Sequence, residues 1–196
     1  MSSQWPQSAG PPLPVHSCDC RPLTLDDAPL LQGLFDASPY FALITDGAPY
    51  PPTAGRDEFY ALPPGRDLRD KNIIGFFDRR DWTTLIAALE SLQRYPDDHC
   101  WWIGLLLVRP DRRGRGLGTE IVTAFERAAE RAAFRTIRLS VVADNTRGMK
   151  FWTDHGYELE RITEPRQFTQ KTQAVHVFVK HLRTPRSTDE DDTATD

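Results

Sequence analysis

The sequence predicts one α/β domain, a mixed sheet with helices on both faces, and three observations predict it. An apolar run, Trp101 to Val108, leads into a glycine-rich turn, an amphipathic stretch and a second short apolar run, Thr136 to Val142, which reads as strand, loop, helix, strand. A chain of 196 residues with 39% hydrophobic content can bury one substantial core. The rest is cut into short elements by proline and glycine, and no internal repeat is apparent.

The elements follow in order. Met1 to Ser17 is rich in proline, glycine and serine, and Ser187 to Asp196 is polar and acidic, so residues 1–20 and 184–196 are expected to be disordered, with the domain at 21–183. Asp26 to Ala37 carries Leu30, Leu31, Leu34 and Phe35 at helical spacing behind a start signal at Asp26 or Asp27. From Ser38 to Gly65 six prolines break the chain, so a helix there, such as Arg56 to Leu62, is short. Asn72 to Phe77 and Thr83 to Leu92 read as neighbouring strands joined through Asp78-Arg79-Arg80-Asp81. Trp101 to Val108 is bulky and nearly uncharged, as a strand buried on both faces must be. Beyond the glycine turn, Ile121, Val122, Phe125, Ala129 and Ala132 recur on one helical face, with Glu120, Arg127, Glu130 and Arg131 between them. Thr136 to Val142 is a strand stopped at Asp144-Asn145. Asn145 to Tyr157 is a short helix with Asn145 near its N-cap and Gly156 as its left-handed stop. Tyr157 to Ile162 and Ala174 to Leu182 close the sheet as an antiparallel pair.

The turn carries the chemistry. Arg109-Pro110-Asp111-Arg112-Arg113-Gly114-Arg115-Gly116-Leu117-Gly118-Thr119 joins a strand end to a helix start, where unsatisfied N–H groups and the positive end of the helix dipole favour an anion. Glycine permits close backbone approach, and three flanking arginines add charge-assisted donors. A P-loop requires Gly-Lys-Ser/Thr, whereas Leu117-Gly118-Thr119 supplies no lysine, so ATP hydrolysis is disfavoured. Glycines at 114, 116 and 118 have the wrong gaps for a dinucleotide fingerprint.

Composition narrows the partners. The formal charge of −4 becomes +1 once the five tail acids, Asp189, Glu190, Asp191, Asp192 and Asp196, are set aside. A near-neutral body with arginines at one loop points to local anion binding and away from nucleic acid. The N-terminus lacks the basic and apolar regions of a signal peptide, and no run approaches the ~20 apolar residues of a membrane span, so a cytoplasmic protein without membrane contact is expected. Cys18, Cys20 and Cys100 are three, and Cys-x-Cys beside His16 lacks the second pair of a zinc site, so no metal is expected.

Arg113, Gly116 and Gly118 form Arg-x-x-Gly-x-Gly, and Asn145, the pair Phe151-Trp152, Gly156 and Tyr157 follow at the distance one helix and one strand require. The two patterns in this order resemble the Gcn5-related N-acetyltransferase (GNAT) family, over roughly Arg21 to Arg183. The resemblance implies a mostly antiparallel sheet of six to seven strands, acetyl-CoA as co-substrate, and direct acetyl transfer to a primary amine in a ternary complex. It also implies that coenzyme A is held by Arg113, Gly114, Arg115, Gly116, Leu117, Gly118 and Thr119. In the family the strand before the loop splays from its neighbour and pairs with the pantetheine arm, here through Leu106, Leu107 and Val108. Asn145 would contact the cofactor or cap its own helix. Trp152 occupies the position where many relatives carry a tyrosine general acid, and indole does not serve as one, so it is counted with the cofactor site and the acid is unassigned.

Glu90 is the candidate base, a lone carboxylate in Leu85-Ile86-Ala87-Ala88-Leu89-Glu90-Ser91-Leu92, with a solvent-facing strand-end glutamate as the alternative. His99 is the runner-up, although Asp97-Asp98-His99 reads as an exposed turn. His155 reads as surface and Tyr157 as core. Tyr40 and Phe41, in the proline-broken segment, are the expected acceptor-binding residues, with Glu58, Phe59 and Tyr60 as further wall. The acceptor is a small-molecule amine or a protein amino group, and the protein a monomer or homodimer. The second reading is a catalytically silent acyl-CoA-binding regulatory module.

Overall fold

A computed structural model describes residues 13–183. Its strands are β1 (Asp19–Pro22), β2 (Lys71–Asp78), β3 (Asp81–Gln93), β4 (Cys100–Val108), β5 (Thr136–Val142), β6 (Glu158–Ile162), β7 (Arg166–Gln167), β8 (Thr172–Gln173) and β9 (Val175–His181). The helices are α1 (Ala28–Asp36), α2 (Pro39–Thr45), α3 (Ala54–Tyr60), α4 (Leu117–Arg131) and α5 (Thr146–Asp154). One seven-stranded sheet runs in the order β1, β2, β3, β4, β5, β9, β6, with β4 and β5 its parallel pair and every other pair antiparallel. β7 and β8 form a separate hairpin.

Both faces of the central strands are covered, which is why their sequence reads as nearly continuous apolar runs. Ile74, Phe76, Leu89, Trp101 and Ile103 pack against Ile121, Val122 and Phe125 of α4. Ile73, Phe77, Leu85, Leu105 and Leu107 pack against Leu31, Leu34, Phe35 and Phe59 of α1 and α3. Residues of β2 alternate between the two groups with the period of two that a strand imposes. Gly55 sets how closely α3 crosses α1: a Cβ there would stand 2.5 Å from the Ala28 carbonyl oxygen, and its N–H donates to Gln32 Oε1 at 2.8 Å. That crossing carries Glu58 toward the sheet.

Two features open the sheet. Glu90 is opposite Leu105 and Ser91 opposite Ile103, so Gly104 is an extra residue on β4, a bulge that bends the strand. β4 pairs with β5 through Cys100–Ile103 and Thr136–Leu139, and the pairing ends where the bulge begins. Beyond it β4 follows β3 as far as Val108 while β5 follows β9 as far as Val142. The two halves splay, and a cleft passes between them.

The expected disordered segment 1–20 requires correction over its described part. Leu13, Val15 and Cys18 are buried in the core beside α4, the Ser17 N–H and hydroxyl donate to Glu120 at 3.1 and 3.0 Å, and β1 begins at Asp19. Three apolar side chains at alternate or near-alternate positions provide the burial that the polar composition around them conceals. Residues 1–12 and 184–196 lie outside the described residues. Helix α2 is a second departure, since Pro39 reads from sequence as a breaker. It occupies the first turn behind Ser38, where the missing N–H costs nothing and the fixed φ suits a helix.

Candidate active site

The cleft has a volume of about 610 Å³ and runs from the glycine loop, past the β4 edge, to the face covered by α1, α2 and α3. Every expected loop residue lines it except Arg115: Arg113, Gly114, Gly116, Leu117, Gly118 and Thr119 are all on its wall. Gly116 caps α4 with φ +84°, Gly114 has φ +72°, and neither has an atom within 4 Å of where a Cβ would stand. The first N–H of α4 with a backbone partner is that of Glu120, which donates to Gly116 O at 3.0 Å. The N–H groups ahead of it belong to the first turn and have no partner inside the helix. This is an open helix start of the kind that favours an anion.

The arginines divide their work. Arg112 pairs with Asp78 at 2.9 Å, and Arg113 Nε donates to Val108 O at 2.7 Å, tying the loop to the strand end. Burial and the nearby Arg147 charge lower the proton affinity of Arg113, so the wall already carries an excess of positive charge. Arg147, in the first turn of α5, lines the cleft and is absent from the sequence-based site; its signal is its place two residues after an N-cap. Thr119 is held by His155, whose Nδ1 lies 2.7 Å from Phe151 O and whose Nε2 lies 3.1 Å from Thr119 Oγ1. A carbonyl only accepts, so Nδ1 donates to Phe151 O, and this bond fixes the ring that faces the threonine hydroxyl.

Leu106, Leu107 and Val108 line the cleft along the part of β4 that has left β5. Asn145 Oδ1 accepts from the Gly148 N–H at 2.9 Å, so the capping role assigned to it as the alternative is made. Its amide also borders the cleft. Trp152 is 8% exposed, lies edge-on to Tyr157 and Phe151, and lines the cleft. Tyr157 is buried beneath it, as core.

At the other end the wall is aromatic. Tyr40 and Phe41 of α2 line the cleft, together with Phe35 and Tyr50, whose rings stack at 4.4 Å, and Phe168 of the β7–β8 hairpin. Of the further wall residues, Glu58 lines the cleft, whereas Phe59 is fully buried in the core and Tyr60 is exposed outside it. Successive helical side chains point about 100° apart, so three consecutive residues could not all face one cavity. Gln173 secures α2: its Nε2 donates to Ile44 O at 2.9 Å and Thr45 O at 2.8 Å, satisfying carbonyls at a helix end.

Glu90 is 6% exposed, so the solvent-facing alternative is overturned. It is not alone, either. The Lys71 ammonium, 1% exposed, lies 3.4 Å from Glu90 Oε1 and 3.3 Å from Glu58 Oε1, and donates to Ala61 O at 2.7 Å. Burial pushes the Glu90 carboxyl up to about 7, against the pull of Lys71 and with the help of the Glu58 charge. Glu58 is raised for the same first reason. The Glu90 carboxylate covers Gly104, which lines the cleft. His99 is exposed in the turn before β4, at the far end of that strand, and does not reach the site. Among the described residues no group of three or more His, Cys, Asp or Glu could hold a metal ion; burial pushes the Cys18 thiol up to about 11, and Cys20 Sγ donates to Leu13 O. Among them also no helix is long and apolar enough to cross a membrane.

The geometry has known counterparts. Residues 39–157 match the family model described as Acetyltransferase (GNAT) family. Among solved structures the chain is similar to an acetyltransferase from Thermus thermophilus, at 27% identity, covering 86% of this chain and 99% of that one with a TM-score of 0.65. It is similar in fold to a GCN5-related N-acetyltransferase from Kribbella flavida (21% identity, 85% and 98% covered, TM-score 0.62) and an N-acetyltransferase from Staphylococcus aureus (11%, 86% and 100%, 0.63). A comparison with curated protein sequences finds no match. The chain belongs to the GNAT family and is an N-acetyltransferase.

Proposed function

We propose that this enzyme takes its acetyl group from acetyl-CoA and passes it directly to a primary amine, of a small molecule or of a protein, with both substrates in the cleft at once. The observation that carries this reading is the splay of β4 from β5 beside the glycine-capped N-terminus of α4. A thioester bound there has its pyrophosphate on the N–H groups of Gly114 to Thr119 and its arm along Leu106, Leu107 and Val108, so that the acyl carbon arrives near Gly104.

The residues then divide the chemistry. Backbone N–H groups of the free β4 edge polarise the acyl oxygen, and they do so at fixed positions that need no reorganisation. Glu90, with a proton affinity near neutrality, takes the proton of the incoming amine, whose approach is bounded by Tyr40 and Phe41. Trp152 closes the side of the cleft and donates no proton; a coenzyme A thiol leaves without one from the protein. Arg115 stands outside the cleft wall and contributes charge at its rim. A partly protonated, buried carboxyl beside the reacting position favours catalysis over a silent acyl-CoA-binding module.

The test is a thiol-release assay over a panel of amines, with calorimetric titration of acetyl-CoA. Binding of acetyl-CoA and release accelerated by at least one amine are expected. Absence of acetyl-CoA binding, or binding indifferent to Gly116→Glu, would overturn the reading.

A further inference from the structure

We propose that Glu58, Lys71 and Glu90 form one acceptor-recognition cluster, which takes the acceptor as a primary alkylammonium ion: Glu58 receives its charge and Glu90 its proton. The proposal rests on the acetyl-transfer reading of the cleft and names its substrate class.

The charge count is the first ground. Two carboxylates share one ammonium, with Lys71 Nζ 3.3 Å from Glu58 and 3.4 Å from Glu90 and a third bond to Ala61 O. The side chains are 24%, 1% and 8% exposed for Glu58, Lys71 and Glu90. A cluster this buried does not hold an uncompensated charge cheaply, so it takes up a proton or a cation. Both carboxyls are accordingly raised above the ordinary glutamate range, burial being the largest cause for each. An acceptor ammonium supplies the missing positive charge.

Placement is the second ground. Glu58 is on the cleft wall together with Phe41 and the stacked rings of Phe35 and Tyr50, and Glu90, joined to Glu58 through Lys71, stands directly against the wall residue Gly104. Aromatic faces add attraction for a cation. Asp46 of the turn after α2 and Arg166 of the β7–β8 hairpin, whose guanidinium lies 4.9 Å from the Phe168 ring centre, also line the cleft; burial first, then the charges of Glu58 and Asp46, push the Tyr50 hydroxyl up. β4 contributes only Gly104 and Leu105 here, without charge. The arginines Arg112, Arg113 and Arg147 belong to the loop and α5 at the other end.

The step balances. The ammonium nitrogen gives one proton to Glu90; its freed lone pair forms the C–N bond to the acyl carbon while the C–S bond breaks with its electron pair on sulfur. The second N–H proton goes to the departing thiolate, and Glu90 returns the first to water. Weakly basic arylamines and hydroxyls arrive without charge and gain nothing from Glu58.

An isosteric pair tests this on the full chain without turnover: 2-phenylethylammonium chloride and 2-phenylethanol, titrated by calorimetry and by carbon NMR of glutamate-labelled protein. The ammonium is expected to bind at least tenfold more tightly than the alcohol and to shift the Glu58 carboxyl resonance, and Glu58→Gln, which retains an oxygen for Lys71, is expected to abolish the difference. In turnover, Glu58→Gln should raise KM for alkylamines at least tenfold with kcat less affected, and Glu58→Asp should restore part of the loss. Equal binding of the pair, or an ammonium preference untouched by Glu58→Gln in a protein with unchanged thermal unfolding, overturns the proposal. Loss of acetyl-CoA binding would overturn the underlying reading instead, so the two failures are distinguishable.

Discussion

The Glu90 carboxylate occupies the space that a side chain on Gly104 would need. The β4 bulge and the buried acid are therefore one arrangement: the extra residue that opens the sheet is also the one without a Cβ, and the acid stands against it. Gly104→Ala should push the carboxylate off its position. A displacement near 1 Å at a reacting group costs about 100-fold in rate, so kcat should fall by about that factor while calorimetry finds acetyl-CoA affinity unchanged. Unaltered kcat would dissociate Glu90 from the chemistry.

The pH profile should carry the mark of Glu90. A base must be ionised to act, so kcat/KM is expected to rise with pH through about 7, where burial has moved this carboxyl, and the limb should vanish in Glu90→Gln. Stability should run the other way. Glu90 holds its proton more tightly folded than unfolded, so its contribution is present at low pH and lost as pH climbs from 4.5 through about 7. Denaturant unfolding between pH 5 and pH 8 should show wild type losing stability relative to Glu90→Gln; parallel curves would contradict the shift.

Gly116 serves a conformation and a charge at once. With φ +84° it holds the left-handed backbone that starts α4, and open space lies beyond it. Gly116→Glu strains the turn and puts an anion where an anion should bind, so acetyl-CoA affinity should drop at least tenfold, about 1.4 kcal/mol or more.

Asn145 can be separated into its two roles. Asn145→Ala removes the cap on Gly148 and should cost about 1 kcal/mol of stability. Asn145→Asp keeps an accepting oxygen but loses the amide donors. If thermal unfolding recovers in the aspartate variant while acetyl-CoA affinity does not, the amide contacts the cofactor; full recovery of both would make it a cap alone.

Gly33 lies inside α1 with nothing within 4 Å of a Cβ built on it. Gly33→Ala should therefore stabilise the protein by about 0.5–1 kcal/mol, with kinetic constants unchanged. Destabilisation in urea would show that α1 tolerates less than its surface suggests.

Much of this protein was legible because its signals are local. A loop-to-helix junction is declared by Gly114, Gly116 and Gly118, which stand close together in the chain, and the periodicity of Ile121 to Ala129 is written within a few turns. The strand pairs about Asp78–Asp81 and the closing β6–β9 pair were legible for the same reason: alternation and turn residues act over a few positions. β1 and α2 were not, since four residues at an edge and a helix opened by proline carry weak or misleading local signals.

By itself, then, the sequence determined the glycine-rich junction between strand and helix, the family and the strand that carries Glu90, because each depends on residues close along the chain. Tertiary structure alone decided what Glu90 meets. Lys71, Glu58 and Gly104 come to it from β2, α3 and β4, and a carboxyl acquires its proton affinity from whatever burial and charge surround it in space. No spacing in a linear chain records that three such groups will share one buried point, so the acidic end of the cleft became visible only once the sheet had opened beside it.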